Sequence, residues 1–198
     1  MTPDTLLTLA NLTVPLKPVR GPTIYPDPLA DPATAAHALG LPRLDASELS
    51  ALRELHKTIV ELVDGLLGGR PVVRPAARLT RLAEPSAARV RLDVGESQTL
   101  RARLEWGEPT PTATLARQAA LELGEIDIQR LKRCQRPPCD LVFYDTTRSG
   151  TQRWHAESPC GTRERQRRYR AGRAARAGNQ ARARRSGANK HQQARSSD

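Results

Sequence analysis

The chain has 198 residues, a formal net charge of +11 and a pI near 10.7. Mean hydropathy is −0.57, and no stretch approaches the ~18 consecutive apolar residues that a membrane-spanning helix needs. Three cysteines, an odd number, argue against a disulfide framework and for metal or thiol chemistry.

The charge is unevenly placed. Residues 130–198 hold 18 Lys and Arg against 5 Asp and Glu, whereas residues 1–129 hold 14 against 16. A near-neutral body followed by a basic third points to a polyanionic partner. The apolar opening Thr5–Val14 has no preceding positive charge and no cleavage site, so it does not read as a signal peptide. A cytoplasmic location is the expectation.

Six prolines punctuate residues 1–30 (Pro3, Pro15, Pro18, Pro22, Pro26 and Pro28), which predicts an irregular arm. Its opening residues Leu6, Leu7, Leu9, Leu12 and Val14 could still form a short helix packed on the body. Asp31-Pro32 is a helix start, and Gly40-Leu41-Pro42 ends that helix. Asp45 and Glu48 have capping-box spacing. Leu49, Leu52, Leu55, Ile59, Leu62, Val63 and Leu66 then follow at three- and four-residue steps, one apolar face of a long helix that Gly68-Gly69 stops.

After Pro85 the period becomes two. Val90, Leu92 and Val94 alternate with Arg89, Arg91 and Asp93. Gly95-Glu96-Ser97 makes a turn, and Leu100, Ala102, Leu104 and Trp106 alternate again. This predicts a β-hairpin with one buried face. A further helix over about Thr112 to Leu123 carries Leu115, Ala119 and Leu123 on one side. Residues 1–128 are therefore expected to form one α+β domain, mainly helical.

All three cysteines fall within residues 128–160, as Cys134-x4-Cys139-x15-His155-x4-Cys160. A tetrahedral Zn²⁺ takes two ligands from one tight turn and two from another, and thiolate and imidazole are donors it prefers. Gln135-Arg136-Pro137-Pro138 suits a knuckle. Leu141–Tyr144 reads as a strand, Arg148-Ser149-Gly150 as a turn and Gln152–His155 as the returning strand. Cys160-Gly161 would open a final helix. Four ligands with no spare donor imply a closed structural site, in which ligation energy is folding energy. The gap of four residues between Cys134 and Cys139 differs from the two of a thioredoxin-type motif. No phosphate loop, HExxH or nucleophile elbow is present, and His37 and His56 are isolated, so no catalytic residue is assigned and an enzyme is not expected.

Seven arginines follow the last cysteine: Arg163, Arg165, Arg167, Arg168, Arg170, Arg173 and Arg176. On a helix they surround the axis, and like charges at i,i+4 repel unless phosphates neutralise them. Arginine suits bidentate phosphate or guanine contact. Arg148, Arg153, Arg163, Arg165, Arg167, Arg168, Arg170 and Arg173 are the candidate nucleic-acid contacts. Residues 177–198 are low-complexity and basic and are expected to be disordered.

The residues from Leu131-Lys132-Arg133-Cys134 through Cys139, Val142–Gly150 and Arg153-Trp154-His155 to Cys160-Gly161-Thr162-Arg163 resemble the CGNR zinc finger. The N-terminal layout is loosely similar to the ABATE domain that usually precedes that finger. Two departures stand out. The family's Asn is Thr162 here, and its third ligand, usually Cys after Trp, is His155 after Trp154. The resemblance implies a finger over residues 129–176, a bound Zn²⁺, and a bacterial, cytoplasmic, stress-induced transcriptional regulator. Duplex DNA is then the expected partner, with the N-terminal domain either dimerising (a homodimer) or sensing a small-molecule effector. The competing readings are an RNA- or ribosome-binding protein and a zinc-stapled protein-interaction or ligand-sensing module.

Overall fold

A computed structural model describes residues 2–14, 27–95, 99–107 and 109–176. It is a mixed α and β structure: six helices, mostly in the N-terminal part, with two small antiparallel sheets and a metal-binding region towards the C-terminus. None of the described helices is long and apolar enough to cross a membrane. The chain divides into two compact units, residues 1–135 with 139–155, and residues 136–138 with 156–198.

In the first unit, α1 (Asp4–Asn11) settles the two readings of the opening segment in favour of a helix. Eight residues are too few to hold a helix in water alone. Leu6 and Leu9 are fully buried, each contributing about 1.5–3 kcal/mol. Glu122, itself buried, accepts the backbone N–H groups of Thr5 (3.2 Å) and Leu6 (2.7 Å), so a distant helix supplies the missing cap. Pro15, Pro18, Pro22 and Pro26 of the expected arm lie outside the described residues.

Helix α2 (Pro32–Leu39) has the expected ends. Asp31 accepts from Ala33 and Thr34, and Gly40 takes the left-handed conformation at φ 62°. Helix α3 (Ala46–Leu67) buries Leu49, Leu52, Leu55, Ile59, Leu62 and Val63, the face read from the sequence. Asp45 caps Glu48 at 2.8 Å. The Glu48 side chain does not close the box. It accepts instead from the Thr112 amide (3.2 Å) and hydroxyl (2.8 Å), which ties the start of α3 to the residues around Thr112.

Helix α4 (Val73–Ala83) is an addition to the sequence reading. Pro71 and Pro75 mask it, yet Pro75 falls in the first turn, where no amide donor is required. Arg78 clamps it to α3 through Glu54 (3.3 Å) and Glu61 (2.9 Å). Helix α5 (Pro111–Glu125) is capped by Thr110 and buries Ala113, Ala116 and Ala119. Leu6, Leu9, Leu52, Ile59, Leu79, Ala116 and Ala119 belong to one core.

The hairpin pairs β1 (Ala88–Val94) with β2 (Leu100–Trp106) in the register Val90↔Leu104, Leu92↔Ala102, Val94↔Leu100. Its expected buried face is corrected. The apolar face forms as the alternation dictates, but Val90, Leu92, Val94, Leu100, Leu104 and Trp106 are all exposed. The helices bury their stripes against one another, and neither strand packs appreciably on them. The Arg117 guanidinium of α5 lies 5.9 Å over the Trp106 ring. The opposite face carries a ring of ion pairs joining Arg91 and Arg103 to Asp93 and Glu105. The predicted turn at Glu96-Ser97 lies outside the described residues.

The second sheet pairs β3 (Leu131–Arg133) with β4 (Val142–Tyr144). This corrects the finger's hairpin. Residues 152–155 are not a strand, and β4 returns to the segment before the knuckle. Leu131 and Val142 join the core of the helical body. In the second unit a π-type turn (Glu157–Gly161) leads into α6 (residues 162–176). The predicted disordered tail, residues 177–198, lies outside the described residues.

Candidate metal centre

Cys134 directly follows β3 and Cys139 precedes β4, so the short sheet sets the separation of the first two donors. The Cys134 amide donates to the Leu141 carbonyl at 2.9 Å, closing the knuckle. The Gln135 amide donates to the Arg153 carbonyl at 2.9 Å, which draws the 152–155 segment beside the knuckle and brings His155 with it. His155 Nδ1 lies 3.4 Å from Cys139 Sγ. Burial lowers the His155 pKa, favouring the neutral imidazole that can ligate a metal.

Cys134, Cys139, His155 and Cys160 place their donor atoms within 4.8 Å of one another. None of the three cysteines is in a disulfide. An ion held at about 2.3 Å by sulfur and about 2.0 Å by nitrogen in a tetrahedron separates its donors by about 3.5–3.8 Å. The cluster is compatible with that spacing and can hold a metal ion. Cys134 and Cys160 are buried, and Cys139 and His155 are half-buried. Three sulfurs and one imidazole complete a four-donor set.

A second polar centre, which the spacing argument missed, braces this region. Asp145 is fully buried. Its carboxylate accepts from Lys132 Nζ (2.6 Å), the Thr147 amide (3.0 Å) and hydroxyl (2.5 Å), and the Gln152 amide (2.8 Å). Burial alone would raise its pKa, but these hydrogen bonds outweigh burial and hold it well below the ordinary 3.8. Lys132 also donates to the Gly150 carbonyl. Gly150 stands at φ 61° in the turn read from Arg148-Ser149-Gly150. The only sequence clue was Asp145 two residues before Thr147, an Asx-turn spacing.

The arginines read as nucleic-acid contacts fall into two groups. Arg153 is exposed, donates to Gln135 at 2.7 Å and lies 5.6 Å over the Trp154 ring. Arg165 pairs with Glu157. Arg167 and Arg168 both pair with Glu164, at 2.7 and 3.1 Å. Arg173 lies 6.0 Å over the Tyr169 ring. Arg148, Arg163 and Arg170 have no ion-pair partner among the described residues. Glu164 is buried, and hydrogen bonds from Arg167 lead the causes that bring its pKa down to about 2. It relieves part of the like-charge repulsion expected on this helix. Thr162 donates to the Glu157 carbonyl at 3.3 Å.

No curated protein matches the chain. Residues 130–173, which contain both short strands, the four clustered donors and most of α6, match the family model of the CGNR zinc finger.

Proposed function

We propose that the chain is a zinc-dependent nucleic-acid-binding protein that engages duplex DNA through its arginine-rich C-terminal helix and acts in transcriptional regulation. The observation that carries this reading is the four-donor cluster, whose last cysteine leads within two residues into a helix of exposed arginines. Zinc suits three thiolates and an imidazole, and a closed set of this kind supplies folding energy rather than reactivity.

The chain's own residues do the remaining work. Arg148, Arg163 and Arg170 offer guanidinium groups with no ion pair among the described residues. Arg165 is held by Glu157 in an exposed pair, which contributes little to stability and can open to phosphate, whereas Arg167 and Arg168 share the buried Glu164. Phe143 is buried and Trp154 is half-buried, so the finger offers few rings for stacking on unpaired bases. This favours a duplex over single-stranded RNA. The N-terminal body belongs to the same reading as an ABATE-like domain serving a stress-responsive regulator.

The test is binding of full-length, zinc-loaded protein to duplex DNA across a salt series. The logarithm of affinity is expected to fall with the logarithm of salt by about 0.9 for each phosphate neutralised. A flat response removes the reading. Structured RNA that outcompetes duplex at equal salt replaces DNA with RNA as the partner.

A further inference from the structure

The β1–β2 hairpin exposes an apolar face that the helical body leaves uncovered. Val90, Leu92, Val94, Leu100, Leu104 and Trp106 are each between 61% and 70% exposed, and the register sets five of them, with Ala102, directly across from one another or from a neighbour on that face. An isolated two-stranded hairpin is marginal in water, so this face calls for a partner. We propose that it is a homodimer interface, on which a second copy of the same chain packs its own hairpin face to face.

Three observations select a second copy. The six side chains offer roughly 700 Å² of largely apolar surface, close to the ~800 Å² per partner of a stable interface. The two strands place no charged side chain on this face, and the Arg117 guanidinium of α5 lies 5.9 Å over the Trp106 ring at the open end of the hairpin. Arg91, Arg103, Asp93 and Glu105 all stand on the opposite face, paired among themselves. Away from Trp106, two copies can therefore approach without bringing like charges together, and the strand side chains of the face offer no charge to match a charged foreign partner. An antiparallel apolar face can also pack on a copy of itself about a two-fold axis, with the two sheets about 10 Å apart and their side chains interdigitated. The interface stands independently of zinc and of nucleic acid.

Sedimentation equilibrium of the full-length protein tests it, beside Leu92→Glu, Leu104→Glu and, on the opposite face, Arg91→Gln. The wild type is expected to dimerise with rising concentration. Both Glu variants are expected to weaken the dimer at least tenfold, and Arg91→Gln to keep it. Amide hydrogen exchange of the wild type is expected to slow in residues 88–94 and 100–106 as concentration rises, a readout that needs no variant to fold. A wild type that stays monomeric overturns the proposal, as does a dimer that survives both Glu substitutions. Exchange protection of the hairpin independent of concentration also overturns it, by assigning the cover to the chain's own residues.

Discussion

Asn11 and Val142 satisfy each other across 131 positions of sequence. The Asn11 side-chain amide donates to the Val142 carbonyl at 2.8 Å, and its oxygen accepts the Val142 N–H at 2.8 Å. The last residue of α1 thus acts as a third strand's worth of hydrogen bonding along the outer edge of β4. Asn11→Ala strips both partners from a part-buried backbone and is expected to cost about 1–3 kcal/mol. Denaturant unfolding of the full-length chain measures it. A loss within error would mean that water replaces the amide without penalty.

Metal content gives the next expectation. The purified protein should hold one zinc per chain, and Cys134→Ser or Cys160→Ser should lose it. His155→Cys should retain it, because thiolate replaces imidazole within the same donor class. Atomic absorption on these three variants and on His155→Ala decides. Zinc retained in His155→Ala would take His155 off the ligand set while leaving the cysteines in place.

The pairing of Glu164 makes the arginines unequal. Arg163→Gln and Arg170→Gln should each lower the salt slope of DNA binding by about 0.9, since each removes a guanidinium that has no competing ion pair. Glu164→Gln frees Arg167 and Arg168 and should tighten binding. Fluorescence anisotropy across salt concentrations reads both effects. Weaker binding by Glu164→Gln would show that the carboxylate holds the arginines in a binding orientation.

Asp145 sets a pH dependence with a definite sign. Its folded pKa lies below the ordinary 3.8, so its contribution to stability is complete above that value and is lost as pH falls from there towards the folded pKa. Asp145→Asn should weaken the fold at neutral pH, with the deficit against wild type narrowing as the medium turns acid. Thermal unfolding of both proteins over a pH series gives the comparison. A deficit constant with pH would mean that the carboxylate's hydrogen bonds matter and its charge does not.

Local signals carried the helical ends well. Asp31, Pro32 and Gly40 mark α2, and Asp45 with the leucine period marks α3, because caps and stripes are written within a few neighbouring residues. The four donors were likewise legible from spacing and side-chain chemistry. What escaped the sequence was long-range pairing. Glu122 capping α1, Glu48 turning to Thr112, and β4 choosing β3 over residues 152–155 all depend on partners that no periodicity names. Helix α4 was hidden by prolines whose damage depends on their position in the first turn. The hairpin's alternation correctly gave a two-faced sheet, but alternation cannot say whether the chain itself supplies the cover. Asp145 was passed over because a single acidic residue beside a turn has no spacing signature of burial.

The strand β3 joins two kinds of chemistry: Leu131 is packed in the helical core, and three positions later Cys134 offers a sulfur donor. A ligand position reached through so short a rigid arm is preorganised by the packing behind it. Thermodynamic reciprocity then runs both ways. A core truncation such as Leu9→Ala is then expected to lower metal affinity, which a zinc titration measures.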